Sequence, residues 1–221
     1  MQRFIDLLLR FRQDVRPQYL DSFARVAEVQ RPTAFFIGCA DSRVSPQLLL
    51  STQPGEVFVL RNVGNLVPPY VPGHPEDRAA LAALEFSLVS LPVTDVLVCG
   101  HSGCGAMRAA LAGPVSDETP HLREWLRHVQ PALQELRSGA SLSPDLPEED
   151  QLGQLNVLRQ LEHLRSHPLA AAREAEGRLR LHGLWFDIPT AEVGMYVPEL
   201  KTFVPVDEEH QELLLRRAHP P

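Results

Sequence analysis

Three apolar runs in the first half of the chain have the length and composition of strands: residues 33–38, "EVFVLRNV" (56–63) and "TDVLVCG" (94–100). The third is too apolar to be half-solvated, which predicts a strand buried on both faces of a parallel sheet. Between and around them the apolar spacing becomes helical. Helices are predicted over 76–90, with Glu76 and Asp77 in an acidic first turn, then over 103–112, 119–138, 151–166 and 168–176. Two more, over 3–14 and 18–30, precede the first strand and are split by Pro17. Pro46–Leu50 reads as a single helical turn, "NLVPPYVPGHPED" as a proline-rich loop and "SGASLSPDLPEED" as a polar one. "RLRLHGLWFDIPT" alternates like a strand. "EVGMYVPELKTFVPV" is one further strand or edge segment, demoted by Pro198 and Pro205, and a last helix covers 207–218.

Strands alternating with helices imply right-handed crossovers, hence an α/β fold with a central, mostly parallel β-sheet flanked by helices. The expected division is an N-terminal helical arm over residues 1–30 and one α/β domain over 31–221. The arm carries Phe4, Ile5, Leu8, Phe11, Tyr19 and Phe23 with nothing local to cover them, which points to a second subunit.

Composition narrows the function. The chain has 221 residues, 44% of them hydrophobic, with net charge −7. Its basic residues form no run, which argues against nucleic acid as a partner. No stretch approaches the roughly 18 apolar residues needed to span a bilayer. "FIDLLLRF" is broken by Asp6 and Arg10 and lacks a cleavage site, so a cytoplasmic, membrane-free protein is expected. Three cysteines, Cys39, Cys99 and Cys104, are too few and too odd for a disulfide framework. Cys99, inside the third strand, is read as packing.

The chemistry gathers at two strand ends, where parallel sheets bind ligands. "FIGCADSRVSP" brings Cys39, Asp41 and Arg43, and "VLVCGHSGCGAM" brings His101 and Cys104. Two thiolates and an imidazole suit zinc, with a fourth position left for water. The alternative is two ordinary buried thiols and a helix-capping histidine. A third possibility is a thiol nucleophile built from Cys39, His101 and Asp41, which metal content would separate from the first. Asp41 and Arg43 lie two apart in an extended segment and point the same way. A carboxylate held in an arginine fork stays ionised and keeps its lone pairs oriented.

Taken together, "CADSRVSP" and "HSGCGAM" resemble the β-class carbonic anhydrases, whose signatures are Cys-x-Asp-x-Arg and His-x-x-Cys. The likeness continues through "PGEVFVLRNVGNLVPPY" and "LEFSL", and more loosely through "LHGLWFDIPTAEV". The resemblance implies one Zn2+ per chain on Cys39, His101 and Cys104. It implies a catalytic Asp41–Arg43 dyad, and reversible hydration of carbon dioxide to bicarbonate by zinc-bound hydroxide. It places Gln30, Phe58, Val63 and Phe86 around the substrate, Phe86 standing where plant-type members carry a tyrosine. It also implies a homodimer or dimer-based tetramer. In bicarbonate-regulated members a Trp, Arg, Tyr set forms the regulatory pocket. The matching positions here are Phe36, Arg61 and Phe186, so an open site with Asp41 on Arg43 is expected.

Other residues are given plainer readings. His74 is a candidate proton shuttle in a solvated loop. His121, His128, His163 and His167 are expected on the surface and His182 in the core or an interface. Trp125 and Trp185 are read as packing. Glu85 and Arg108 are read only as candidates for structural ion pairs.

Overall fold

The computed structural model describes residues 1–73, 78–113 and 117–218. A six-stranded sheet runs β2-β1-β3-β4-β5-β6. Its strands are β1 (Ala34–Cys39), β2 (Val57–Asn62), β3 (Asp95–His101), β4 (Arg180–Asp187), β5 (Glu192–Val197) and β6 (Thr202–Pro205). The first four are mutually parallel, and β5 pairs antiparallel with both β4 and β6. The predicted fold class holds. The β2-β1-β3 order places the ends of β1 and β3 side by side, with Gly38 opposite Cys99.

The segment after residue 192 is two strands rather than one. Both prolines sit where a strand can lose a donor: Pro198 just beyond β5 and Pro205 at the end of the edge strand β6. Lys201, at positive φ, closes the turn between them.

The helices are α1 (Gln2–Arg10), α2 (Arg16–Val26), α3 (Pro46–Leu49), α4 (Arg78–Val89), α5 (Gly105–Ala112), α6 (Pro120–Trp125), α7 (Gln130–Arg137), α8 (Glu148–Ser166), α9 (Pro168–Ala175) and α10 (Gln211–Ala218). Pro17 does not separate α1 from α2. It falls in the first turn of α2, where no amide donor is needed, and a π-helical turn, Phe11–Val15, joins the two. The helix expected over 119–138 is interrupted by a 3₁₀ turn, Leu126–Val129, before Pro131 opens α7. The expected start of the 76–90 helix, and His74, lie outside the described residues.

The main core lies on one sheet face, where Phe35, Ile37, Val96 and Val98 meet Val157, Leu161 and Leu164 of α8. Gly100 makes this packing possible: a Cβ there would fall 2.7 Å from Val157 Cγ2. Because α8 closes directly on β3, its N-terminal turn reaches the loop after His101. The other face buries Phe36, Val44, Cys99, Leu184 and Phe186. Cys99 is thus packed, as expected, and burial pushes its thiol up to about 12. None of the arm's described residues from Met1 to Arg31 is buried, and Phe4 and Leu8 are 66% and 68% exposed.

Candidate metal centre

Cys39 is the last residue of β1 and His101 the last of β3; Cys104 immediately precedes α5. Their ligand atoms lie within 4.8 Å of one another, and all three residues are buried. The two sulfurs are 4.0 Å apart. Thiolates sharing a tetrahedral zinc at about 2.3 Å stand roughly 3.8 Å apart, so the spacing suits one ion.

His101 supplies the sharpest sign. Its Nδ1 donates to the Ser102 carbonyl at 3.0 Å, which leaves the lone pair on Nε2. That Nε2 is buried and has no hydrogen-bond partner among the described residues. A buried, unpaired nitrogen is costly unless something fills its place, and a metal ion facing two thiols does so. The donor set therefore fits zinc.

The electrostatics agree. The neighbouring Cys104 thiol, donating a hydrogen bond, holds the Cys39 thiol below its ordinary range, against burial. Cys104 is pushed up by the same contact, because a second thiolate beside the first is disfavoured until a cation joins them.

Asp41 and Arg43 meet in the predicted fork. Arg43 Nε donates to Asp41 Oδ1 at 2.9 Å and Nη2 to Oδ2 at 2.7 Å, and the Arg43 backbone amide adds 3.0 Å to Oδ1. The Arg43 side chain accordingly holds the Asp41 carboxyl well below the usual carboxylate range, against some burial. Asp41 Oδ2 lies 3.9 Å from His101 Nε2, so the carboxylate borders the candidate metal position.

Arg61 takes a part its sequence position did not reveal. Its Nε and Nη2 donate to the Cys39 and Asp41 carbonyls at 3.0 and 2.6 Å, tying the ligand loop to β2. Phe36 and Phe186 share the apolar cluster on that side of the sheet. Of the expected pocket residues, Phe58 and Phe86 touch, ring centroids 5.8 Å apart. Phe86 and Val63 remain half-exposed, and Gln30 is exposed between α2 and β1. Trp125 does more than pack: its indole donates to the Val63 carbonyl at 2.7 Å.

Three histidines expected on the surface are buried. His128, His163 and His167 lie inside, while His121 is exposed. The reason for the last two is the stretch Gly64, Val67 and Pro68 after β2, whose backbone groups take partners from α8 and the residue that follows it. Asn156 donates to Gly64, Gln160 accepts from the Val67 amide, and His163 and His167 bond the Val67 and Pro68 carbonyls. His182 instead joins Arg180 on Asp95, and Arg108 pairs with Glu149.

A family model described as carbonic anhydrase matches residues 34–193. The chain is 38% identical over 96% of its length to a carbonic anhydrase of Pseudomonas aeruginosa, covering 94% of that protein. Among solved structures it is similar to the β-carbonic anhydrase CcaA, with TM-score 0.83 and 33% identity over 93% of this chain and 98% of that one. It is also similar to tetrameric β-carbonic anhydrases of Sordaria macrospora, with TM-score 0.74 and 27% identity over 88% and 95%.

Proposed function

The chain belongs to the carbonic anhydrase family, in its β class, and from that premise we propose that it uses one Zn2+ per chain, on Cys39, His101 and Cys104, to hydrate carbon dioxide reversibly. The observation that carries the reading is the buried Nε2 of His101, without a hydrogen-bond partner among the described residues, beside two thiols and a fork-held carboxylate. Zinc bound there supplies a Lewis acid that makes water a nucleophile near neutral pH.

The chain's own residues do the rest. Asp41 stays ionised at working pH and accepts a hydrogen bond from the attacking oxygen, which turns a lone pair toward the carbon of CO2. Arg43 keeps both carboxylate oxygens occupied and so fixes that direction. Phe58 and Phe86, whose rings touch, and Val63 are assigned as the apolar groups around a linear, uncharged substrate, and Gln30 as a donor to an oxygen of the bicarbonate product. Asp41 stays on Arg43 rather than moving onto the metal. Phe36 and Phe186 stand at the positions that carry polar aromatics in bicarbonate-regulated members, so the site is expected to stay open.

Residues 1–30 are the dimerisation arm of a zinc-binding catalytic domain over 31–221. The exposed face of Phe4 and Leu8 packs on a second copy, giving a homodimer or a dimer-based tetramer. Among the described residues no helix is long and apolar enough to cross a membrane, and we place the protein in the cytoplasm. Stopped-flow hydration with metal analysis tests the activity: about one zinc per chain and rapid turnover are expected, and a metal-free chain with an alkylatable thiol would overturn it. Light scattering tests the assembly, where a stable monomer counts against it.

A further inference from the structure

Gly103 sits between the ligands His101 and Cys104 with φ +61, a left-handed conformation open to few side chains. A glycine there is the most flexible link in the site, and its freedom would pass directly to both ligands. The structure removes that freedom from both sides. The Gly103 amide donates to Asp150 Oδ1 at 2.6 Å, and the Gly103 carbonyl accepts from Arg43 Nη2 at 3.1 Å. The two bonds fix the two peptide planes that meet at the Gly103 Cα. Arg43 Nη2 is also the atom that holds Asp41 Oδ2 at 2.7 Å. A continuous chain of contacts therefore runs from Asp150 through Gly103 and Arg43 to Asp41.

Asp150 is poorly placed for a merely decorative role. It is only 7% exposed, and burial pushes its carboxyl up although the Gly103 amide favours the ionised form. It lies in the first turn of α8, whose macrodipole welcomes an acid, but Glu148 and Glu149 already serve that end from more exposed positions. Glu149 faces Arg108, leaving Asp150 as the acid turned toward the ligand loop.

We propose that Asp150 is a positioning residue: it locks the turn between the two ligands and, through the Gly103 carbonyl, the arginine that aims Asp41. The proposal rests on the zinc-enzyme function proposed for the site. It requires an acceptor at Oδ1 rather than a negative charge, which sets the test. Asp150→Asn keeps the acceptor and Asp150→Ala removes it.

Zinc affinity, measured by chelator competition, is expected to fall about tenfold or more in Asp150→Ala. The visible absorption of the cobalt-substituted protein should change with it. On the zinc enzyme, kcat should fall roughly tenfold with little change in KM. Asp150→Asn should match wild type in all three, and so should Glu149→Gln, a control for the helix-end charge. If Asp150→Ala does not fold, Asp150→Ser, whose hydroxyl ends short of Gly103, takes its place. Wild-type affinity, spectrum and kcat in the truncated variant overturn the proposal. So does an Asp150→Asn variant as impaired as Asp150→Ala, since charge would then be the active property. If wild type binds zinc but does not hydrate CO2, the functional reading fails. The affinity and cobalt comparisons still decide the role of Asp150.

Discussion

Among the described residues, two Asp–Arg–His sets stand at opposite ends of the same sheet. At the carboxyl ends, Arg43 grips Asp41 through two bonds and His101 stands 3.9 Å away. At the amino ends, Arg180 grips Asp95 at 2.7 and 2.6 Å, and His182 Nε2 closes on the same carboxylate at 2.8 Å. Thr94 adds a fourth bond to Asp95. In both, hydrogen bonds hold the carboxyl below its ordinary range against burial. The difference is satisfaction. His182 spends its nitrogen on Asp95, whereas the equivalent nitrogen of His101 has no hydrogen-bond partner among the described residues and lies beside two thiols. An ion pair with a histidine is therefore no mark of an active site. The unmet valence beside it is.

Removing that unmet valence should have the largest effect. Cys39→Ser takes away one thiolate and leaves His101 facing a weaker donor. The variant should lose zinc on dialysis and hydration should fall at least about a thousandfold, read by metal analysis and stopped flow. Next comes a matched pair of truncations. Asp41→Ala should keep its zinc but lose hydration by roughly a hundredfold or more, since the acceptor that orients the nucleophile is gone. Asp95→Ala should leave hydration unchanged. It strands the half-buried Arg180 and His182 instead and costs about 1–2 kcal/mol, a few degrees in the thermal midpoint. If Asp95→Ala abolished hydration while leaving the midpoint intact, the distinction between the two ends would collapse.

What could be read from the chain follows the same line. Cys39, Asp41, Arg43, His101 and Cys104 were legible because reactive residues cluster at short spacings, each set ending an apolar run, and a core rarely gathers such groups without a shared task. β1 and β3 were legible because they are buried on both faces and stand out as apolar runs, and β4 by its alternation. The polar face of α8 was not. Asn156, Gln160, His163 and His167 have the spacing of a solvated helical face, and only the fold shows the backbone of Gly64, Val67 and Pro68 lying against them. The signal available was indirect: a proline-rich loop must find hydrogen-bond partners somewhere. Asp150 was hidden likewise in "PEEDQL", where the helix dipole alone is reason enough for acids at a helix start. The hairpin of β5 and β6 is hidden in the sequence because Pro198 and Pro205 read alike whether they break a strand or end one.

The buried histidines supply the smallest effect, and the one that reaches beyond both carboxylate ends. Burial lowers the pKa of His163 and of His167, outweighing the carbonyls of Val67 and Pro68 that favour the protonated ring. In the unfolded chain each takes up a proton near pH 6.5. Between that value and the lower folded one, the unfolded state binds more protons, so stability rises with pH. It is complete above about pH 6.5 and is lost as pH falls through the folded values, by at most about 1.4 kcal/mol per pH unit for each ring. His163→Asn with His167→Gln replaces each donor nitrogen by an amide that cannot titrate. Denaturant midpoints at pH 5, 6 and 7, at one fixed zinc concentration, should show a flatter pH dependence than wild type, with little difference between the two at pH 7. Metal release in acid is common to both chains and cancels in the comparison. Equal slopes for the two proteins would mean that the rings accept protons in place and that the loop, not the charge, sets the acid limit.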